Sequence, residues 1–201
     1  MMQATLSSGW PTLLRRLEFV AYPAAAGAAF TVLSLGVVTW LPALAAMGHA
    51  LQRWRAEGDS RCFTNAFGAF PQYWRALWRH CLASTAAGVV LIANIVHLLG
   101  RSEPWTFVLL AAQVGIAAAL VIHHVALAAE AGRSPHGTAR TWSRGALALG
   151  FGSAARGTAL LGAVVSAALL SLVVPLGPVL LGPSVPVLLA LSFADPRRHT
   201  P

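Results

Sequence analysis

One apolar run, residues 19–51, constrains what this chain can fold into more than any other feature. It contains no Asp, Glu, Lys or Arg, and as a single helix it would be roughly 50 Å long at about 1.5 Å per residue. A bilayer core is only about 30 Å thick, so either one tilted helix projects beyond the membrane or the run breaks and crosses twice. Gly36 and Pro42 bracket an apolar segment, and Pro42 suits the first turn of a new helix. We predict a break here, near the outer surface.

The composition of the whole chain is typical of a polytopic membrane protein. Of all residues, 57% are hydrophobic and 10% are charged, against about 25% charged in average soluble proteins. We therefore expect residues 1–201 to form one integral membrane domain, an all-α bundle of five or six hydrophobic helices. After the broken first region, the predicted spans are 81–99, 105–129, 157–174 and 178–193.

A short aromatic segment precedes the second hydrophobic region. Phe63, Phe67 and Phe70 recur at helical spacing and so share one face. We predict an amphipathic elbow over residues 61–70 that lies in the membrane interface on the cytoplasmic side, with Pro71 starting the next helix. A second elbow is expected at 139–155.

The distribution of arginine predicts the orientation. The formal net charge is +8, and the basic residues are concentrated in the short connections on one side, with Arg101 between the spans 81–99 and 105–129. This positive-inside pattern places the arginine-rich loops in the cytoplasm, and both termini too if residues 19–51 cross twice. We therefore expect the positive charge to serve contact with the lipid bilayer surface, and we expect no nucleic acid partner.

No catalytic or cofactor motif is apparent. The sequence lacks His-Glu-x-x-His, Gly-x-Ser-x-Gly and a phosphate-binding glycine loop, so we expect no enzyme and no cofactor. His49, His80, His123 and Glu130 form a cytoplasmic-side layer whose chemistry would suit zinc. We favour the alternative in which these side chains bond to one another or to the backbone, and we predict no metal site; a metalloenzyme would require bound zinc.

Three polar residues lie within apolar spans: Asn94, Gln113 and His123. Polar groups are costly in lipid and are functional candidates for that reason. Asn94 and Gln113 are neutral, and interhelical hydrogen bonding explains them at least as well as a permeation path. Small-residue stripes such as Ala111-xxx-Gly115-xxx-Ala119 support a compact bundle and leave a homo-oligomer open.

The segment that contains the predicted break is similar to the signature of a known family. The segment Ser34 to Met47 resembles the signature Ser-Leu-Pro-Val-Val-Thr-Ile-Gly-Pro-Ala-Thr-Ala-Ala-Leu of the YesL family, bacterial integral membrane proteins of unknown function. Gly36 replaces the first proline, and Leu41 replaces the glycine before Pro42. The segment from Phe63 to Trp74 is similar to the aromatic, basic segment that follows in the family.

The resemblance implies a role without catalysis. Genes of this family commonly accompany sugar-uptake systems, so the resemblance implies a bacterial inner-membrane accessory or scaffold component of a carbohydrate ABC transporter. We expect a partner to dock on the elbow formed by Phe63, Phe67 and Phe70. The motif residues that we single out are Gly36, Val37, Val38, Thr39, Trp40 and Pro42.

The alternative is a small solute transporter or channel. In that case the backbone freed between Gly36 and Pro42 would line a polar cavity, and Asn94 and Gln113 would face it.

Overall fold

The fold is known from a computed structural model that describes residues 10–36, 38–173, 177 and 181–194. Within these ranges there are seven helices and no strand. Val37, the last residue of the predicted span 157–174 and residues 178–180 of the predicted last span lie outside them. In chain order the helices are α1 (Trp10–Leu33), α2 (Trp40–Glu57), α3 (Cys62–Leu99), α4 (Pro104–Arg133), α5 (Ala139–Phe151), α6 (Ala154–Val173) and α7 (Ser184–Phe193).

Helix α2 is the centre of the bundle. Between Leu41 and Leu51 every residue except His49 is buried, which is the pattern of a helix enclosed on all sides. Helices α1, α3, α4 and α7 all contact it. Many of its buried residues are alanines, so the surrounding helices approach closely.

The chain turns back between α1 and α2. Helix α1 ends at Leu33 and α2 begins at Trp40, with Pro42 in the first turn of the new helix. Near the other end of the pair, the rings of Phe19 and Tyr22 pack on Trp54 with centroid separations of 5.6 and 5.7 Å. Residues 19–51 are therefore two antiparallel helices and not one straight rod.

Helices α2 and α4 touch through their backbones at two glycines. A Cβ added to Gly132 would lie 2.6 Å from the carbonyl carbon and oxygen of Gly48, and a Cβ on Gly48 would collide with the carbonyl group of Ala128. A residue with any side chain therefore fits at neither position unless the helices separate.

The predicted separate elbow at 61–70 is absent, because α3 continues through Pro71 as one helix. The reason lies in its buried residues, which follow one helical face before and after the proline. Packing of this face stabilises the continuous helix by more than the loss of the backbone hydrogen bond that Pro71 cannot donate. The buried residues of α3 are Cys62, Ala66, Tyr73, Leu77 and Cys81.

The segment at 139–155 does form a helix of its own. Thr138 caps α5 through a reciprocal pair of hydrogen bonds with Thr141, and α5 meets α6 at an angle of 96°. One face of α5 is buried, including Trp142 and Ala146.

Two helices, α3 and α4, are long and apolar enough to cross a membrane, and the bent α5–α6 pair makes a third if it is counted as one span. The structure is thus that of an all-α membrane protein, and the larger number of five or six spans stays a prediction. The two long helices contact the bundle with only half of their length. No residue of 82–99 is buried, and Thr106 is the one buried residue of 104–121. We call these two segments the distal hairpin.

The glycine contact predicts that a glycine-to-alanine substitution changes stability in opposite directions at two positions. Gly132→Ala should destabilise the protein by about 1–3 kcal/mol, because the added methyl forces α2 and α4 apart. Gly115→Ala is the matched control, since nothing lies within 4 Å of a Cβ there and alanine favours a helix by about 0.5–1 kcal/mol. Thermal unfolding in detergent measures both, and equal stabilities would contradict the contact.

Candidate functional site

A group of polar side chains surrounds Trp40 where α2 begins. The indole Nε1–H of Trp40 donates to Thr85 Oγ1 at 3.0 Å, and the Trp40 ring stands edge-on to the ring of His124 at 4.9 Å between centroids. His124 Nε2 lies 2.9 Å from Ser84 Oγ, and His124 is only 8% exposed. These contacts join α2, α3 and α4, and we call the group, together with His123, the Trp40 layer.

The turn before Trp40 is closed by its own hydroxyl groups. Ser34 Oγ donates to the carbonyl of Thr31 at 3.1 Å, and both the backbone N–H and the Oγ1 hydroxyl of Thr39 donate to the carbonyl of Gly36. Thr39 then accepts the first hydrogen bond of α2 from the N–H of Ala43. The serine and threonine of the motif therefore hold a tight connection that places Trp40 against α3 and α4.

Tyr73 joins three helices on the other side of the α2–α4 contact. Its hydroxyl donates to the carbonyl of Ala131 at 3.0 Å and lies 3.4 Å from His49 Nδ1. Its ring packs on Trp142 at 5.5 Å between centroids, and Trp142 Nε1–H donates to the carbonyl of Ser134 at 2.9 Å. No motif in the sequence pairs Tyr73 with Trp142. The available signal was only that both are aromatic residues with a polar tip, which is common where an apolar core meets polar groups.

The structure brings one of the three predicted polar residues into this region. The ring of His123 lies 5.6 Å from that of His124, at the Trp40 layer. Asn94 and Gln113 lie on the distal hairpin instead. Asn94 is exposed, and Gln113 is partly buried with its Oε1 enclosed and without a hydrogen-bond partner.

The layer of potential zinc ligands is not assembled. His49 faces Tyr73, whereas Glu130 Oε1 accepts a hydrogen bond from Arg133 Nη1 at 2.9 Å. Among the residues that the structure describes, no three His, Cys, Asp or Glu side chains lie close enough together to hold a metal ion.

The three phenylalanines lie on the first turns of α3. The rings of Phe63 and Phe67 are 4.9 Å apart, and Phe70 stacks on Trp74 at 6.2 Å. Phe67 and Phe70 also pack against the hydrophobic core, whereas Phe63 is 42% exposed. Phe63 is therefore the member of this predicted docking surface with a large free area.

A charged cluster lies at the corner between α2 and α3, just before Phe63 in the chain. Asp59 accepts hydrogen bonds from the Asn65 amide at 2.9 Å and from the Arg61 backbone N–H at 3.1 Å. It also forms an ion pair with Arg53 at 3.0 Å, and its side chain is 11% exposed. The hydrogen bonds from Asn65 and then from Arg61 lower the pKa of Asp59 from 3.8 to about 2. Gly58 allows this corner by adopting a φ of +69°.

Comparison with known proteins gives one family. Residues 25–95 match the family described as "Protein of unknown function, DUF624". The match runs from α1 to the distal part of α3 and so contains the Ser34–Thr39 turn, Trp40 and the phenylalanines. No curated protein and no solved structure matches the chain.

A double-mutant cycle tests the Trp40–Thr85 hydrogen bond. Trp40→Phe and Thr85→Val should each lower the free energy of unfolding by about 0.5–1.5 kcal/mol from the lost bond. The double variant should lose less than the sum, with a coupling energy of about 0.5–1.5 kcal/mol. Thr158, an exposed hydroxyl residue of α6, supplies the control, because Trp40→Phe and Thr158→Val should be additive. Additivity at Thr85 as well would contradict the contact.

The lowered pKa of Asp59 predicts that the stability of the fold depends on pH. Because its folded pKa of about 2 lies below the reference value of 3.8, its carboxylate stabilises the fold above pH 3.8, and this contribution is lost as the pH falls towards 2. Asp59→Asn should therefore unfold at a lower temperature than the parent at neutral pH, and the two melting temperatures should converge near pH 2. A constant gap across this range would disprove the assignment.

Proposed function

We propose that the protein is a non-enzymatic accessory or scaffold component of the bacterial inner membrane, a member of the YesL family, which docks on the permease of a carbohydrate ABC transporter. The family match supports membership of an uncharacterised family, and the apolar helices support a place in a membrane. The carbohydrate link is what the resemblance implies.

The observation that carries the docking proposal is the exposed side chain of Asn94. Its neighbours Val90, Ile92 and Val96 are exposed apolar residues, and within the described chain the Asn94 carboxamide makes no hydrogen bond. Lipid tails offer neither donor nor acceptor, so an unpaired carboxamide among them is costly. A transmembrane helix of a partner supplies both groups, and such interhelical hydrogen bonds stabilise helix association in membranes.

A second contact surface lies at the other end of the same helix. Phe63 presents an exposed ring beside the Asp59 cluster, and α3 carries it roughly 47 Å from Asn94 at about 1.5 Å per residue. A partner with both a transmembrane and a cytoplasmic part reaches both surfaces. An ABC permease has this architecture, which is why we prefer it to a small peripheral partner.

The polar groups inside the bundle favour a structural role. The side chains of Trp40 and Tyr73 donate hydrogen bonds to groups on neighbouring helices, and Trp142 donates to Ser134 at the end of α4, so they hold the helices together. A catalytic group needs access to a substrate, and the donors of these three side chains are already bonded within the bundle.

The geometry gives less support to a transporter or channel. Asn94 is exposed on α3 among exposed apolar side chains. A cleft of about 220 Å³ between α6 and α7 is lined mainly by apolar residues such as Ala163, Leu170 and Val185. Robust solute flux through liposomes that contain this protein alone would overturn the accessory role.

Site-specific photocrosslinking in the native membrane tests the docking surface. A photoreactive residue at Asn94 should form an adduct with the permease subunit, whereas the same residue at Ile92, at nearly the same depth on another exposed face of α3, should give several-fold less. The adducts are identified by mass spectrometry.

Each result has a definite meaning. Equal adducts from both positions, or adducts with lipid alone, would contradict docking through Asn94. An adduct of twice the chain mass would show that a second copy occupies this surface, and it would overturn the permease as the partner.

A further inference from the structure

The α1–α2 hairpin stops well short of the far end of α3. Trp40, the first residue of α2, bonds to Thr85 and packs on His124, so the turn at residues 34–39 is level with the middle of α3 and α4. From Thr85, α3 continues to Leu99, a further length of roughly 21 Å at about 1.5 Å per residue. Neither α1 nor α2 accompanies it there.

The uncovered distal hairpin has the dimensions of a bilayer core. Residues 82–99 span roughly 27 Å as a helix, against about 30 Å for the hydrocarbon region. Groups typical of membrane interfaces lie at both ends. At the near end the Arg79 guanidinium lies 5.2 Å from the centre of the Trp78 ring, and at the far end Arg101 and Glu103 are exposed beside the exposed ring of Trp105.

We propose that lipid covers the distal hairpin outside the Asn94 surface and that α1 and α2 form a re-entrant hairpin. The pair enters from the arginine-rich side, turns at residues 34–39 inside the bilayer and leaves on the side from which it came. The turn then lies roughly 21 Å from the outer boundary of the hydrocarbon core, as the distance along α3 requires. This arrangement replaces the double crossing that the length of residues 19–51 suggested, and it does not depend on the proposed partner.

Hydrogen bonding at the turn suits a position without water. Inside a bilayer the polar groups of the backbone must be paired within the protein. The hydroxyls of Ser34 and Thr39 donate to the carbonyls of Thr31 and Gly36, and the indole N–H of Trp40 donates to Thr85. Leu35, at the start of the turn, is apolar and 80% exposed.

The opposite end of the hairpin is suited to water. Helix α2 leads to Arg53 and Glu57, which form an ion pair at 3.1 Å, and then to the Asp59 cluster. Charged residues therefore mark the entry side, whereas the turn between α1 and α2 contains none. A hairpin of this kind requires this asymmetry, because only one of its ends meets water.

Cysteine accessibility in intact cells tests the proposal. In a background with Cys62→Ala and Cys81→Ala, the variants Leu35→Cys and Ser102→Cys are treated with a membrane-impermeant maleimide. Ser102→Cys, in the α3–α4 connection, should be labelled from outside, and Leu35→Cys should not. Labelling of both from outside would show that the α1–α2 turn reaches the outer surface, which would overturn the proposal.

Depth is measured separately on the same turn. A fluorophore on Leu35→Cys should be quenched by lipids that are brominated on their acyl chains. In inverted vesicles, the maleimide should label Glu57→Cys but not Leu35→Cys. Labelling of Leu35→Cys as fast as Glu57→Cys would place the turn in the cytoplasm and would equally overturn the proposal. Val32→Cys, one turn earlier and also exposed, repeats the measurement if Leu35→Cys does not fold.

Discussion

The backbone contact between Gly48 and Gly132 is the constraint on which the other contacts depend. Where two helices touch at glycine, dispersion forces act over many atoms at short range, and in lipid such contacts replace the hydrophobic driving force that is missing between helices. With α2 held against α4 at this point, Trp40 reaches Thr85 and His124 on one side, and Tyr73 reaches Ala131 on the other. A wider separation of α2 and α4 would move the Trp40 ring away from the ring of His124.

The molecule divides into a tightly packed half and an uncovered half, and both long helices belong to both halves. In the packed half, α2 is enclosed by its neighbours and the polar side chains are bonded across helices. In the uncovered half, α3 and α4 offer apolar surface to the surroundings, interrupted by the Asn94 carboxamide. In the proposed scaffold function, structural and interaction roles are therefore separated along the same two helices.

Much of the helix pattern was accessible from the sequence, because it depends on local properties. Hydropathy identified α4 and the part of α3 at 81–99, and Gly36 and Pro42 indicated the break that separates α1 from α2. The pairing of Tyr73 with Trp142 was not accessible, because it depends on how three helices are rotated about their axes. The continuity of α3 through Pro71 was also missed, since the energy that offsets the lost hydrogen bond comes from packing on α2, which lies elsewhere in the chain.

The position of Trp40 between α3 and α4 also has a consequence for biosynthesis. The ribosome makes α1 and α2 first, but Thr85 and His124 lie 45 and 84 positions further along the chain. Since a nascent chain emerges from its N-terminus, the docking surface of the first hairpin is incomplete until α4 has been synthesised. Its burial is therefore a late step in assembly, and until then its apolar surface is available to the insertion machinery or to lipid.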